Sequence, residues 1–94
     1  MKIIWTRRAF EDRRSVYAFI GQQAPAAALM LHNVFEMRLK QLSALPMLGR
    51  MGRKPGTREL VLHPHYLLVY DIRPDHIRIL RLLHTARQWP PREI

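Results

Sequence analysis

Arg58-Glu59-Leu60-Val61-Leu62-His63-Pro64-His65-Tyr66-Leu67-Leu68-Val69-Tyr70-Asp71-Ile72-Arg73-Pro74-Asp75-His76-Ile77-Arg78-Ile79-Leu80-Arg81-Leu82-Leu83-His84 is the stretch that decides the fold. It holds three runs dense in Leu, Val, Ile and Tyr, namely 58–63, 66–73 and 76–84, parted by Pro64-His65 and Pro74-Asp75. Such residues suit strands, and connections this short join antiparallel neighbours, so the stretch predicts a three-stranded meander. Strict alternation along the third run places Arg78 on one face with Leu80, Leu82 and His84. It places Arg81 on the other with Ile77, Ile79 and Leu83.

Working back towards the N-terminus, Gly49, Arg50, Gly52, Arg53, Lys54, Pro55 and Gly56 form a basic loop rich in breakers. It lacks the Walker spacing and does not lead from a strand into a helix, so it is no nucleotide-binding loop. Residues 25–45 read as a helix: Pro25 suits its first position, and Ala28, Leu31, Phe35, Leu39 and Leu42 recur at steps of three or four. Met30, Val34 and Met37 lie beside them, which predicts a wide buried face. An earlier helix runs from Arg7 to about Gln22 with Phe10, Val16, Tyr17, Phe19 and Ile20 as its stripe, Thr6 as its N-cap and Gly21 at its end. Lys2-Ile3-Ile4-Trp5 is a short β-prone run. The expected fold is α+β in two layers: a strand, an antiparallel helix hairpin, then the three-stranded antiparallel meander. The hairpin covers one sheet face and leaves the other for function. The 94 residues are expected to form one domain, 1–94.

Composition narrows the chemistry. The chain has no cysteine, which removes disulfides, cysteine-ligated metals and thiol nucleophiles. No run reaches the ~18 apolar residues of a membrane span, and Arg7 and Arg8 interrupt the N-terminus too early for a signal peptide. The expected location is therefore the cytoplasm, with no membrane contact. The net charge is +9, from 16 Lys and Arg against 7 Asp and Glu, and it is spread over both halves. Such a surface attracts polyanions or an acidic protein, and arginine suits planar contacts to phosphate or carboxylate.

Histidines 63 and 65 flank Pro64, and no His pair has helical metal-ligand spacing beside a carboxylate, so no metal site is expected. His84 ends an apolar strand; it reads either as a proton carrier near neutral pH or as a strand-end residue bonded to backbone. Arg81 stands in an apolar row, where a paired or edge position is expected. Neither a Ser-His-Asp set nor a carboxylate pair can be argued from spacing, so any catalysis must use arginines and a histidine.

Several segments together resemble the RelE/ParE superfamily of bacterial type II toxins: Ile4-Trp5-Thr6, Pro46-Met47-Leu48-Gly49-Arg50, residues 55–61, Tyr66-Leu67-Leu68-Val69-Tyr70, residues 79–84, and Ala86-Arg87-Gln88-Trp89-Pro90. The resemblance spans essentially the whole chain in order. It implies a helix hairpin on a curved sheet, a role in plasmid or chromosome stabilisation, and neutralisation by a cognate acidic antitoxin. RelE-type members cleave mRNA on the ribosome; ParE-type members share the fold and poison DNA gyrase. For an mRNA interferase the resemblance implies Arg58, His84 and Arg87 as catalytic residues, with Arg50, Arg53, Lys54, Arg78 and Arg81 binding RNA phosphates and no cofactor. The presence of all three of Arg58, His84 and Arg87 tilts the expectation towards RNA cleavage. A gyrase inhibitor without nuclease activity and a non-toxic basic nucleic-acid-binding module are the alternatives.

Overall fold

The computed structural model describes residues 1–85. The expected elements form: strand β1 (Lys2–Trp5), helices α1 (Arg7–Gln23) and α2 (Pro25–Ala44), then a 3-10 turn (Pro46–Leu48). Strands β3 (Arg58–His63), β4 (Tyr66–Ile72) and β5 (His76–His84) follow. A two-residue strand, β2 (Arg50–Met51), lies inside the basic loop, where glycines and charges mask it in the sequence. The sheet runs β1-β5-β4-β3-β2. The meander is antiparallel as expected, but β1 joins β5 in parallel, so the five-stranded sheet is mixed.

The helices dock through a narrower stripe than their periodicity suggested. Leu31, Phe35, Leu39 and Leu42 of α2 are buried against Leu60, Leu62, Leu68, Tyr70, Ile77, Ile79 and Leu82, whereas Met30 and Met37 stand in solvent. In α1 only Ala9 is fully buried, and Phe10 and Phe19 are exposed. Helix α1 also continues past Gly21 to Gln23, because Ala24 N–H still reaches the Ile20 carbonyl before Pro25 opens the next helix.

Two register shifts alter the face assignments. Tyr70 pairs with Ile79 but Val69 pairs with Arg81, so Leu80 is an extra residue in β5. Leu62 is likewise extra in β3, between the Val61–Leu67 and His63–Tyr66 pairs. A bulge shifts the side-chain alternation by one residue. Ile77, Ile79, Leu82 and His84 therefore share the helix side, while Arg78, Leu80, Arg81 and Leu83 share the second face. This corrects the face assignments that strict alternation gave beyond Leu80. The second face is also less open than expected, since Leu67, Val69 and Leu83 are buried there. Val69 is paired on either side with the long chains of Glu59 and Arg81.

Where β1 ends, α1 takes over the edge of β5. Thr6 caps α1 by accepting from Ala9 N–H, and its hydroxyl donates to the Leu80 carbonyl at the bulge (3.4 Å). Two turns on, the Asp12 carboxylate accepts Leu82 N–H at 3.0 Å and Arg81 Nε and Nη2 at 2.7 and 3.2 Å. Both side chains of this ion pair are nearly buried, at 12% and 11% exposed. Removing one member of such a pair leaves the other uncompensated, which costs about 3–5 kcal/mol. Asp12→Ala is expected to lose about that much in urea unfolding; a loss under ~1 kcal/mol, as for a surface pair, would contradict the clamp.

Candidate functional site

The two bulges gather side chains that the sequence keeps apart. Without them, His63 and His84 would face away from the helices; with them, both turn to the helix side beside Tyr66. The His84 ring lies 5.5 Å from Tyr66 and 5.7 Å from His65, stacked on the latter, and His63 lies 5.5 Å from His65. His63 Nδ1 accepts the His65 backbone N–H at 3.2 Å, which fixes the turn. This rim borders a groove of about 360 Å³ whose wall is Ile20, Ala27, Met30, Leu31 and Val34. Among the described residues no group of three metal-ligating side chains is arranged to hold an ion.

The basic residues stand at the other end of the sheet. Arg58 pairs with Tyr70 whereas His84 pairs with Tyr66, on opposite flanks of β4. Four residues of strand and two strand spacings put their Cα atoms roughly 16 Å apart. Arg58 Nη1 moreover donates to the Gly49 carbonyl at 2.8 Å. The structure therefore does not bring Arg58 and His84 together, and Arg87 lies outside the described residues. Arg50 and Arg53 meet at Glu59, Arg78 binds Asp71, and Arg81 binds Asp12. Lys54 closes the loop through its backbone carbonyl, which accepts from Thr57 Oγ1 at 2.6 Å.

Tyr70 anchors this end. Its buried hydroxyl accepts Gly49 N–H at 2.9 Å and donates to the Pro46 carbonyl at 2.7 Å. Gly49 has no room for a side chain, since a Cβ would stand 2.8 Å from both the Glu59 carbonyl oxygen and the Tyr70 ring. Burial raises the Tyr70 hydroxyl above its ordinary value of 10.0, against the lowering effect of Gly49 and Arg58. Asp71 raises Arg78 in turn, chiefly through its hydrogen bonds.

The sequence pointed to His84 but missed its partners His63, His65 and Tyr66. The signal was the pair of histidines around Pro64, which the hairpin returns to the end of β5. It also missed Glu59 and Asp71 as the organisers of the arginines, because a carboxylate inside a strand reads as a solvated residue.

The family model described as "ParE toxin of type II toxin-antitoxin system, parDE" matches residues 3–89. The chain belongs to this family of toxins. Toxin RelE2 of Caulobacter vibrioides is 31% identical over 86 residues, covering 92% of this chain and 97% of that protein. The protein Y4kP of Sinorhizobium fredii is 36% identical over 90 residues, covering 95% and 93%. A chain of the chromosomal ParDE system of P. aeruginosa superposes with a TM-score of 0.81 at 26% identity, covering 92% and 97%. The YoeB dimer of Staphylococcus aureus has the same fold at 18% identity and a TM-score of 0.63. A type II toxin has a cognate antitoxin as its partner. Among the described residues no helix is long and apolar enough to cross a membrane.

Tyr70→Phe should destabilise this ParE-family toxin by about 1–3 kcal/mol, because Gly49 N–H is left buried without its acceptor. The tyrosine's folded pKa is raised, so the stability it gives is present below about pH 10 and lost as pH rises through the folded value. The alkaline loss of stability should therefore be smaller in Tyr70→Phe than in the wild type. Equal alkaline losses in thermal melts would contradict the assignment.

Proposed function

We propose that this toxin arrests growth as a ParE-type poison of DNA gyrase, without cutting RNA, and that an acidic antitoxin neutralises it. The separation of Arg58 from His84 carries this reading. Cleaving a phosphodiester requires a proton carrier within hydrogen-bond reach of the reacting oxygen and a cation beside the charge that develops on phosphorus. A histidine at one end of the sheet and an arginine anchored on Gly49 at the other do not act on one phosphate. The arginines of the second face are engaged with Glu59, Asp71 and Asp12, an arrangement that suits a binding surface. Membership in the ParE family supports the same target.

Ribosome-dependent mRNA cleavage is the second reading. It draws on the clustering of His84 with His63 and His65, since imidazoles are apt proton carriers near neutral pH. The two readings differ in what they require of His84. A lost general acid or base lowers a rate by about 10²–10⁴-fold, whereas one contact among many at a binding surface is usually worth less than about 1 kcal/mol. His84→Ala is expected to keep most of its growth arrest, and the wild type to leave translated messages intact while gyrase–DNA cleavage complexes accumulate. Cut messages, with arrest abolished in a folded, antitoxin-binding His84→Ala protein, would establish the nuclease instead.

A further inference from the structure

At the end of the second sheet face away from His63, His65 and His84, two carboxylates each stand between two arginines. Glu59, its side chain 1% exposed, accepts Arg50 Nη2 at 3.1 Å and Arg53 backbone N–H at 3.0 Å, with Arg53 Nε at 3.9 Å. Asp71 accepts Arg78 Nε and Nη2 at 3.1 and 2.6 Å, with Arg73 Nη2 at 3.7 Å. The four guanidinium-bearing chains remain 36–60% exposed. Glu59 pairs with Val69, two residues before Asp71, so the two residues are diagonal neighbours on adjacent strands, about 7–8 Å apart.

Two guanidiniums to one carboxylate leave one positive charge in surplus at each position. A guanidinium has five N–H donors in a rigid fork, more than a shared carboxylate can engage. Burying Glu59 costs desolvation that an apolar side chain would avoid. What the carboxylates supply is orientation, holding the Arg50 and Arg78 forks by hydrogen bonds and keeping Arg53 and Arg73 beside them as ion-pair neighbours.

We propose that Arg50, Arg53, Arg73 and Arg78, set in place by Glu59 and Asp71, form a surface that binds the phosphate backbone of duplex DNA. The surplus cations flank the two carboxylates, with Arg50 on β2 and Arg78 on β5 three strand spacings apart, roughly 14–16 Å, a spread over which a duplex presents one charge per ~1.7 Å of its axis. An acidic peptide is less densely charged, with at most one carboxylate per residue of ~3.3 Å. Single-stranded nucleic acid is bound largely by base stacking on aromatic rings, and the described residues of this face, Lys2, Ile4, Glu59, Val61, Leu67 and Val69 among them, include no Phe, Tyr or Trp, the His76 imidazole opposite Lys2 being the ring it carries. Backbone contacts of this kind position the protein without reading sequence. The surface goes beyond the gyrase reading and does not depend on it, since naked duplex binding is measured without gyrase.

Fluorescence anisotropy of a labelled random-sequence DNA duplex, titrated with the full chain between about 50 and 200 mM salt, tests the surface. With the two surplus charges neutralising two phosphates, log affinity should fall against log salt with a slope of about −1.8; Arg50→Gln/Arg53→Gln and Arg73→Gln/Arg78→Gln should each bring it to about −0.9. Glu59→Gln and Asp71→Asn separate orientation from charge. Each raises the net charge by one, yet each should weaken binding, because every released guanidinium must be ordered again at a cost of roughly 2- to 12-fold in affinity. Circular dichroism verifies folding, and if Glu59→Gln unfolds, Asp71→Asn and the arginine pairs still decide. Tighter binding by the carboxylate variants, an unchanged slope in both arginine pairs, a preference for single strands, or a polyglutamate peptide bound where the duplex is not would each overturn the proposal.

Discussion

One carboxylate, Asp12, holds the two layers in register. Beyond Ile79, strand β5 has lost its neighbour β1 and carries a bulge, so its edge presents a backbone N–H that needs an acceptor. Asp12 supplies it at Leu82 and neutralises Arg81 with the same two oxygens. A buried unmatched N–H would cost about 1–3 kcal/mol, and a buried unmatched charge more. Helix α1 is thereby fixed at one position along β5, and the bulge at Leu80 is fixed with it. Every residue after the bulge takes its face from that choice.

The consequence is a sheet with two unlike ends. At one, His63, His65, Tyr66 and His84 edge an apolar groove under the helix hairpin. At the other, arginines are set around Glu59 and Asp71 on the opposite face, and Tyr70 ties the loop to the core through Gly49 and Pro46. A protein partner with an apolar face suits the first end, and a polyanion suits the second. The two ends are thus chemically distinct surfaces.

Much of the fold was legible in the sequence, because periodicity reports burial directly. The runs around Leu60, Leu68 and Ile79 and the four-step stripe from Leu31 to Leu42 gave the meander and the second helix nearly to their bounds. What escaped was whatever depends on pairing. Nothing in Leu80 or Leu62 marks either as the extra residue, since a bulge is a property of two strands together. The consequence is specific: strict alternation puts Arg78 on one face with His84, and the bulge at Leu80 puts them on opposite faces. Arg81 was expected to need a partner, and it has one in Asp12, 69 residues away. The exposed Phe10, Phe19, Met30 and Met37 show that apolar spacing on a helix overstates the buried stripe when the domain is thin.

The central claim is that the bulged register puts His84 on the helix side with Tyr66 and His65, far from Arg58. Nuclear Overhauser contacts from the His84 ring in solution test it most directly. The account predicts cross-peaks to the rings of Tyr66 and His65 and none to the Arg58 side chain. Cross-peaks from the His84 ring to Leu67 and Val61, on the second face where strict alternation would place it, would contradict the account.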